Sequence, residues 1–95
     1  MKLHKNLFDD TEDNSEFLLY LYRNPKFTVQ QICDKYGFKY QTFFNHLTKW
    51  EDQEFIISER QSPELGKIKY KYSLSQKAIE KLFSIKKIWD RFIRD

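Results

Sequence analysis

The spacing of apolar residues along this chain changes character several times, and each change marks an element. "EFLLYLYR" (16–23) is almost continuously apolar, which predicts a helix buried over most of its circumference. Asn14 or Ser15 stands where it can cap that helix, and Asn24-Pro25 should stop it. In "TVQQICDKYG" (28–37), Val29, Ile32, Cys33 and Tyr36 fall at i, i+3, i+4 and i+7, one face of a helix. Thr28 followed by Gln31 is a capping box, and Gly37 suits the left-handed residue that ends a helix. "FKYQTFFNHLTKWEDQEF" (38–55) is helical in period again, with Phe43, Leu47 and Trp50 as its apolar line. Two helices joined by a tight glycine turn, the second rich in hydrogen-bonding side chains, make a helix-turn-helix pattern.

The period then drops to two. "FIISERQ" (55–61) and "KIKYKYSL" (67–74) read as strands, with Pro63 and Gly66 in the connecting "SPELG", which predicts a β-hairpin. Alternation puts Lys67, Lys69 and Lys71 on one face of the second strand and Ile68, Tyr70, Tyr72 and Leu74 on the other. The lysine face has two readings: a row of phosphate contacts, or a solvated edge that uses lysine against edge-to-edge pairing. Ser73 or Ser75 can cap a last helix, "QKAIEKLFSIKKIWDRFIRD" (76–95). There Ala78, Leu82, Ile85, Trp89 and Phe92 recur at spacings of 4-3-4-3, a heptad seam that Ile79, Phe83, Ile88 and Ile93 widen. So broad an apolar surface needs two partners, the parent domain on one side and a second subunit on the other. Residues 1–14 form an acidic N-terminal arm, where Leu3, Leu7 and Phe8 suit a short helix and a flexible tail is the alternative.

Composition narrows the class. A chain of 95 residues is large enough for one modest core, and aromatic residues at 18% supply it well. Two glycines and two prolines argue against a loop-rich or all-β chain. The charge is divided: residues 1–16 set two lysines against five carboxylates, and residues 17–95 set 15 basic residues against 9 acidic ones. The body is therefore basic behind an acidic leader, which points towards a polyanionic partner. Cys33 stands alone, so no internal disulfide is possible and a reducing, cytoplasmic setting is expected. No stretch reaches the ~20 apolar residues of a membrane span and no secretory h-region opens the chain, so a soluble protein without a membrane partner is expected.

The order helix, helix, turn, helix, hairpin, helix resembles the winged helix-turn-helix domain. It looks in particular like the MarR- and PadR-like small regulators and the short winged-helix proteins of archaeal viruses and plasmids. "TVQQICDKYGFKYQTFFNHLTKWEDQEFI", the basic hairpin and "YSLSQKA" carry the resemblance, which spans Ser15 to Asp95. It implies a mostly α fold with a small β-hairpin (α+β): a winged helix-turn-helix over 15–74 and a C-terminal dimerisation helix over 75–95. It also implies that the third helix enters the major groove, that the hairpin wing follows the phosphate backbone, and that the terminal helix pairs two subunits. Three positions depart from the family pattern. Lys39 stands where a serine or threonine usually caps the recognition helix, leaving its first amides to another partner such as a phosphate. Glu54 replaces the glycine that commonly closes that helix, and Ala78 replaces another common glycine.

These patterns name candidate residues. On the third helix Lys39, Tyr40, Gln41, Thr42, Asn45, His46 and Lys49 are expected to reach DNA, and Arg60, Lys67, Lys69 and Lys71 on the wing. Gln and Asn pair bidentately with adenine, and Thr methyl or aromatic edges touch thymine methyls, so a preference for A·T-rich, palindromic duplexes is expected. Phe44 either joins those contacts or packs beneath the first helix. Leu82, Ile85, Trp89 and Phe92 are the expected interface of a homodimer. Cys33 fits a small buried hydrophobe, with redox sensing the alternative. His4, His46 and Cys33 lie at no metal-ligand spacing, and no glycine-rich phosphate loop or acid/base constellation is present. The expectation is a transcriptional regulator, a repressor by occlusion, with no cofactor, no metal and no enzymatic activity. The rivals are a winged-helix module that binds proteins and a plasmid or viral replication protein.

Overall fold

The computed structural model describes residues 3, 5–8, 12–61 and 69–94, and it is mostly helical with a two-stranded antiparallel hairpin. The elements run α1 (Glu12–Arg23), α2 (Val29–Tyr36), α3 (Tyr40–Asp52), β1 (Ile56–Gln61), β2 (Lys69–Leu74), α4 (Gln76–Ser84) and α5 (Lys86–Arg94). Local chemistry sets most of these bounds. Thr28 Oγ1 accepts the Gln31 amide at 3.1 Å and starts α2, while Gly37 takes φ +73° and returns its N–H to Cys33 O at 2.8 Å. Only half of the expected capping box forms, because the Gln31 side chain turns to the Tyr20 hydroxyl at 3.4 Å. Ser75 Oγ accepts the Ala78 amide at 3.1 Å and starts α4. No described helix is long and apolar enough to cross a membrane.

The core lies where α1, α3 and α4 meet the hairpin. Phe17 of α1 is fully buried and touches the rings of Tyr36, Phe43 and Trp50, mostly edge to face. The expected α3 line of Phe43, Leu47 and Trp50 is buried throughout. Ile56 pairs with Leu74 across the hairpin, and both face inward. Phe27 adds a rung that the alternation gave no sign of. Its N–H and C=O exchange hydrogen bonds with Tyr72 at 2.9 and 2.8 Å, on the edge of β2 that β1 leaves open. The two rings lie 6.1 Å apart and nearly parallel.

Three expectations need correction. The acidic arm is not a free tail at Leu7 and Phe8, which are buried; Phe8 packs edge-on to Phe55 at 4.9 Å. Asn14 does not cap α1, which already begins at Glu12; its amide donates to Leu7 O at 2.7 Å and ties the arm down. The acidic residues Asp9 and Asp10 lie outside the described residues.

The largest correction concerns the last helix, which is two helices. At Ile85 the backbone becomes extended (φ −90°, ψ 114°), and the Ser84 hydroxyl competes for Lys81 O at 2.6 Å. The turn lets α5 fold back along α1. Ile88 becomes buried there, Tyr22 meets Phe92 edge-on at 6.0 Å, and Arg91 approaches Glu16 at 3.6 Å. The heptad seam is therefore split. Ala78 and Leu82 belong to the core of their own chain, and Trp89 (46% exposed) and Ile93 (64%) stand outside it.

Candidate nucleic-acid interface

The burial of Phe43, Leu47 and Trp50 dictates what the rest of α3 can present. Gln41, Asn45 and Lys49 follow one another at spacings of four, opposite the buried line, and all three are exposed. Gln41 Nε2 donates to Asn45 Oδ1 at 2.9 Å, so the two amides form one hydrogen-bonded pair before any ligand arrives. Thr42 and His46 flank the ridge on one side. His46 Nδ1 lies 2.9 Å from Thr42 O, a contact in which that nitrogen carries a proton because a carbonyl oxygen can only accept. Thr48, exposed and tied to Phe44 O at 3.0 Å, joins this surface and was not among the expected residues. Its residue type gave no signal; only its spacings of four from Phe44 and eight from Tyr40 did. Lys39 is exposed, and its side chain makes no capping hydrogen bond to the first turn of α3.

On the other flank Tyr40 (56% exposed) and Phe44 (37%) stack parallel to within 6°, with centroids 6.2 Å apart. This answers the alternative left for Phe44, which lies at the surface beside Tyr40. The rings face a cleft of about 330 Å³ between α3, the start of α2 and β2. Thr28 and Gln30 edge it from α2, Lys69 and Tyr70 from β2, and Tyr72 forms its floor. Burial, and then the charge of Glu51, pushes the Tyr72 phenol above its ordinary pKa, so it is a neutral hydroxyl at physiological pH.

The hairpin register sorts the wing candidates. Ile56↔Leu74, Ser58↔Tyr72 and Arg60↔Tyr70 share the face that turns inward, while Glu59↔Lys71 and Gln61↔Lys69 share the outer one. Tyr72 and Leu74 are buried, but Tyr70 is 47% exposed because the hairpin extends beyond the core at that point. Tyr70 is thus not the packing residue that its parity suggested. Arg60 lies with the tyrosines, away from the lysines. Lys71 is half-buried and stands directly across from Glu59, which offsets part of its charge. Lys69 is exposed, and Lys67 lies outside the described residues.

The structure therefore groups Gln41, Asn45 and Lys49 on one ridge and Tyr40, Phe44, Tyr70 and Lys69 around one cleft. It puts Trp89 and Phe92 elsewhere, in an aromatic cluster with Phe83. Cys33 is buried, and burial raises its thiol pKa, with Asp34 adding to the shift, so it is a protonated thiol at physiological pH. Comparison of the chain with protein-family models and with curated proteins finds no match.

Proposed function

We propose that this chain is a winged helix-turn-helix protein that binds double-stranded DNA and regulates transcription as a homodimeric repressor. The observation that carries the reading is the pairing of two features. α2 and α3 are joined through left-handed Gly37, and α3 presents Gln41, Asn45 and Lys49 directly away from its buried line. Beside them stands a hairpin bearing the exposed Arg60 and Lys69. In this reading α3 enters the major groove, the paired amides of Gln41 and Asn45 read adenine, and Lys39, Lys49, Arg60 and Lys69 meet phosphates. The Phe27 rung supports it further, since it fastens the hairpin to the segment that opens α2.

The homodimer is proposed through Ile85, Trp89 and Phe92, with Ile93 added and Leu82 withdrawn, because Leu82 is wholly buried in its own subunit. Pairing would cover the exposed Trp89 and Ile93, and a two-fold site on DNA requires the two α3 helices to stand about one turn apart, roughly 34 Å. Salt tests the DNA claim. A dimer that neutralises about 6–10 phosphates loses about 10³–10⁵ in affinity between 50 and 200 mM salt. Binding that does not respond to salt, or no binding at 50 mM, sinks the proposal.

A further inference from the structure

We infer that the cleft between α3 and β2 holds an unstacked nucleobase, so that the chain binds single-stranded DNA as well as duplex. This rests on the reading above in taking DNA as the ligand. Three of the largest exposed apolar side chains among the described residues, Tyr40, Phe44 and Tyr70, gather at this one cleft. An exposed aromatic cluster is costly in water unless it meets a partner, and nothing within the described chain covers it.

The chemistry of the walls selects the partner. Tyr40 and Phe44 offer parallel rings, and a base stacks on such rings whatever its identity, because every base has a π-face. A cleft of about 330 Å³ lies at the small end of the usual range of ligand sites, which suits a single base. Thr28 and Gln30 supply neutral donors and acceptors at its edge. Among the described residues Lys69 is the one charged residue that lines it, and none of the described carboxylates does. Arg60 shares the face of Tyr70 in the register, so the backbone of a bound strand would leave the cleft past a second cation. Aromatic rings between cations form the arrangement that single-stranded nucleic acid uses, with rings for bases and cations for phosphates. A paired base inside a duplex is stacked on both faces and cannot enter. The cleft therefore gains affinity only from strands that are open, or opened on binding.

The test compares two probes of equal charge: an oligothymidine of about 12 nucleotides, within the usual range of site sizes, and an abasic strand of the same length. The full-length protein is titrated with each by fluorescence anisotropy. Oligothymidine should bind more tightly than the abasic strand. Tyr70→Ala and Phe44→Ala should each weaken that binding roughly 5- to 150-fold, the loss of one stacked base, with the abasic affinity unchanged. Tyr70→Phe keeps the ring and should restore binding, which separates stacking from damage to the fold. Equal affinity for the two probes, or full oligothymidine binding by Tyr70→Ala, overturns the inference. Sequence-selective duplex binding surviving that result would leave the proposed function standing. Ring-dependent oligothymidine binding without any duplex preference would support the inference and overturn the proposed function instead.

Discussion

Glu54 carries a strain whose removal should stabilise the fold. It sits at φ +66° where α3 gives way to β1, the left-handed region that costs a residue with a Cβ about 1–2 kcal/mol. The conformation is held by its neighbours. Its N–H donates to Glu51 O at 2.9 Å, and its carbonyl accepts the Ser75 hydroxyl at 2.7 Å, both backbone contacts that glycine would keep. Among the described residues the side chain contributes one ion pair, with Lys77 at 3.6 Å, both partners mostly exposed, worth about 0–0.5 kcal/mol. Glycine also makes the unfolded chain more flexible, which costs about 0.4–1 kcal/mol. The balance for Glu54→Gly is a gain of about 0.5 kcal/mol, or a rise in Tm of about 2–4 °C for a domain of this size. Gly37→Ala is the matched control. Its φ is +73° and an added Cβ meets nothing within 4 Å, so about 1–2 kcal/mol of backbone strain, offset in part by about 0.4–1 kcal/mol from a stiffer unfolded chain, should leave a net loss of about 0.5–1 kcal/mol. Urea denaturation of both variants, followed by circular dichroism, reads the two signs. A clear loss of stability in Glu54→Gly, or none in Gly37→Ala, would refute the reasoning.

Other consequences separate the parts of the molecule. Lys69→Ala should weaken binding to all duplexes about equally, whereas Asn45→Ala should relax preference at particular base pairs by about 1–3 kcal/mol, as measured with a panel of mutated sites. Burial, then the charges of Glu16 and Tyr20, pushes the Tyr36 phenol up to about 12, and its hydroxyl has no hydrogen-bond partner among the described residues. Because the folded value lies above the unfolded one, the stability Tyr36 supplies is complete below pH 10 and is lost as pH rises through about 12. Tyr36→Phe should blunt that alkaline loss and be neutral to stabilising by about 1 kcal/mol at pH 7, in urea melts at both pH values. Trp89→Ala and Ile93→Asp change exposed positions on α5 and should shift a micromolar dimer towards monomer in sedimentation; a parent protein already monomeric at that concentration would remove the dimer claim.

The helix pair at the centre of the site was legible because three signals agreed there: period, cap and stop. Val29–Tyr36 and the Phe43, Leu47 and Trp50 line follow from spacing alone, and Thr28 and Gly37 mark the ends. The break at Ile85 was not legible. No proline or glycine stands there, and Leu82, Ile85, Trp89 and Phe92 fit one unbroken helix as well as two. What decided it was tertiary: burying Ile88 against α1 outweighed the backbone bonds lost at one turn. The arm was only half legible: Leu3, Leu7 and Phe8 are spaced for a short helix, but so short a segment beside a run of acids gives no sign of the surface that buries it. Within the site, alternation assigned faces correctly along β2 but not depth. It grouped Tyr70 with Tyr72 because parity says nothing of where the core ends. Arg60 and Glu59 could be assigned only through the register with β2, a pairing that neither strand specifies by itself.

The most direct measurement is a selection of bound duplexes from a random pool at about 100 mM salt, a concentration at which phosphate contacts are weakened but not abolished. If α3 reads the major groove from a two-fold dimer, successive rounds should enrich an A·T-rich site. Its half-sites should be inverted and centred about 10 base pairs apart. Asn45→Ala should blur that site at the same position in each half. A pool that stays random after selection, while the protein remains folded and retains DNA, would contradict sequence-specific recognition by α3.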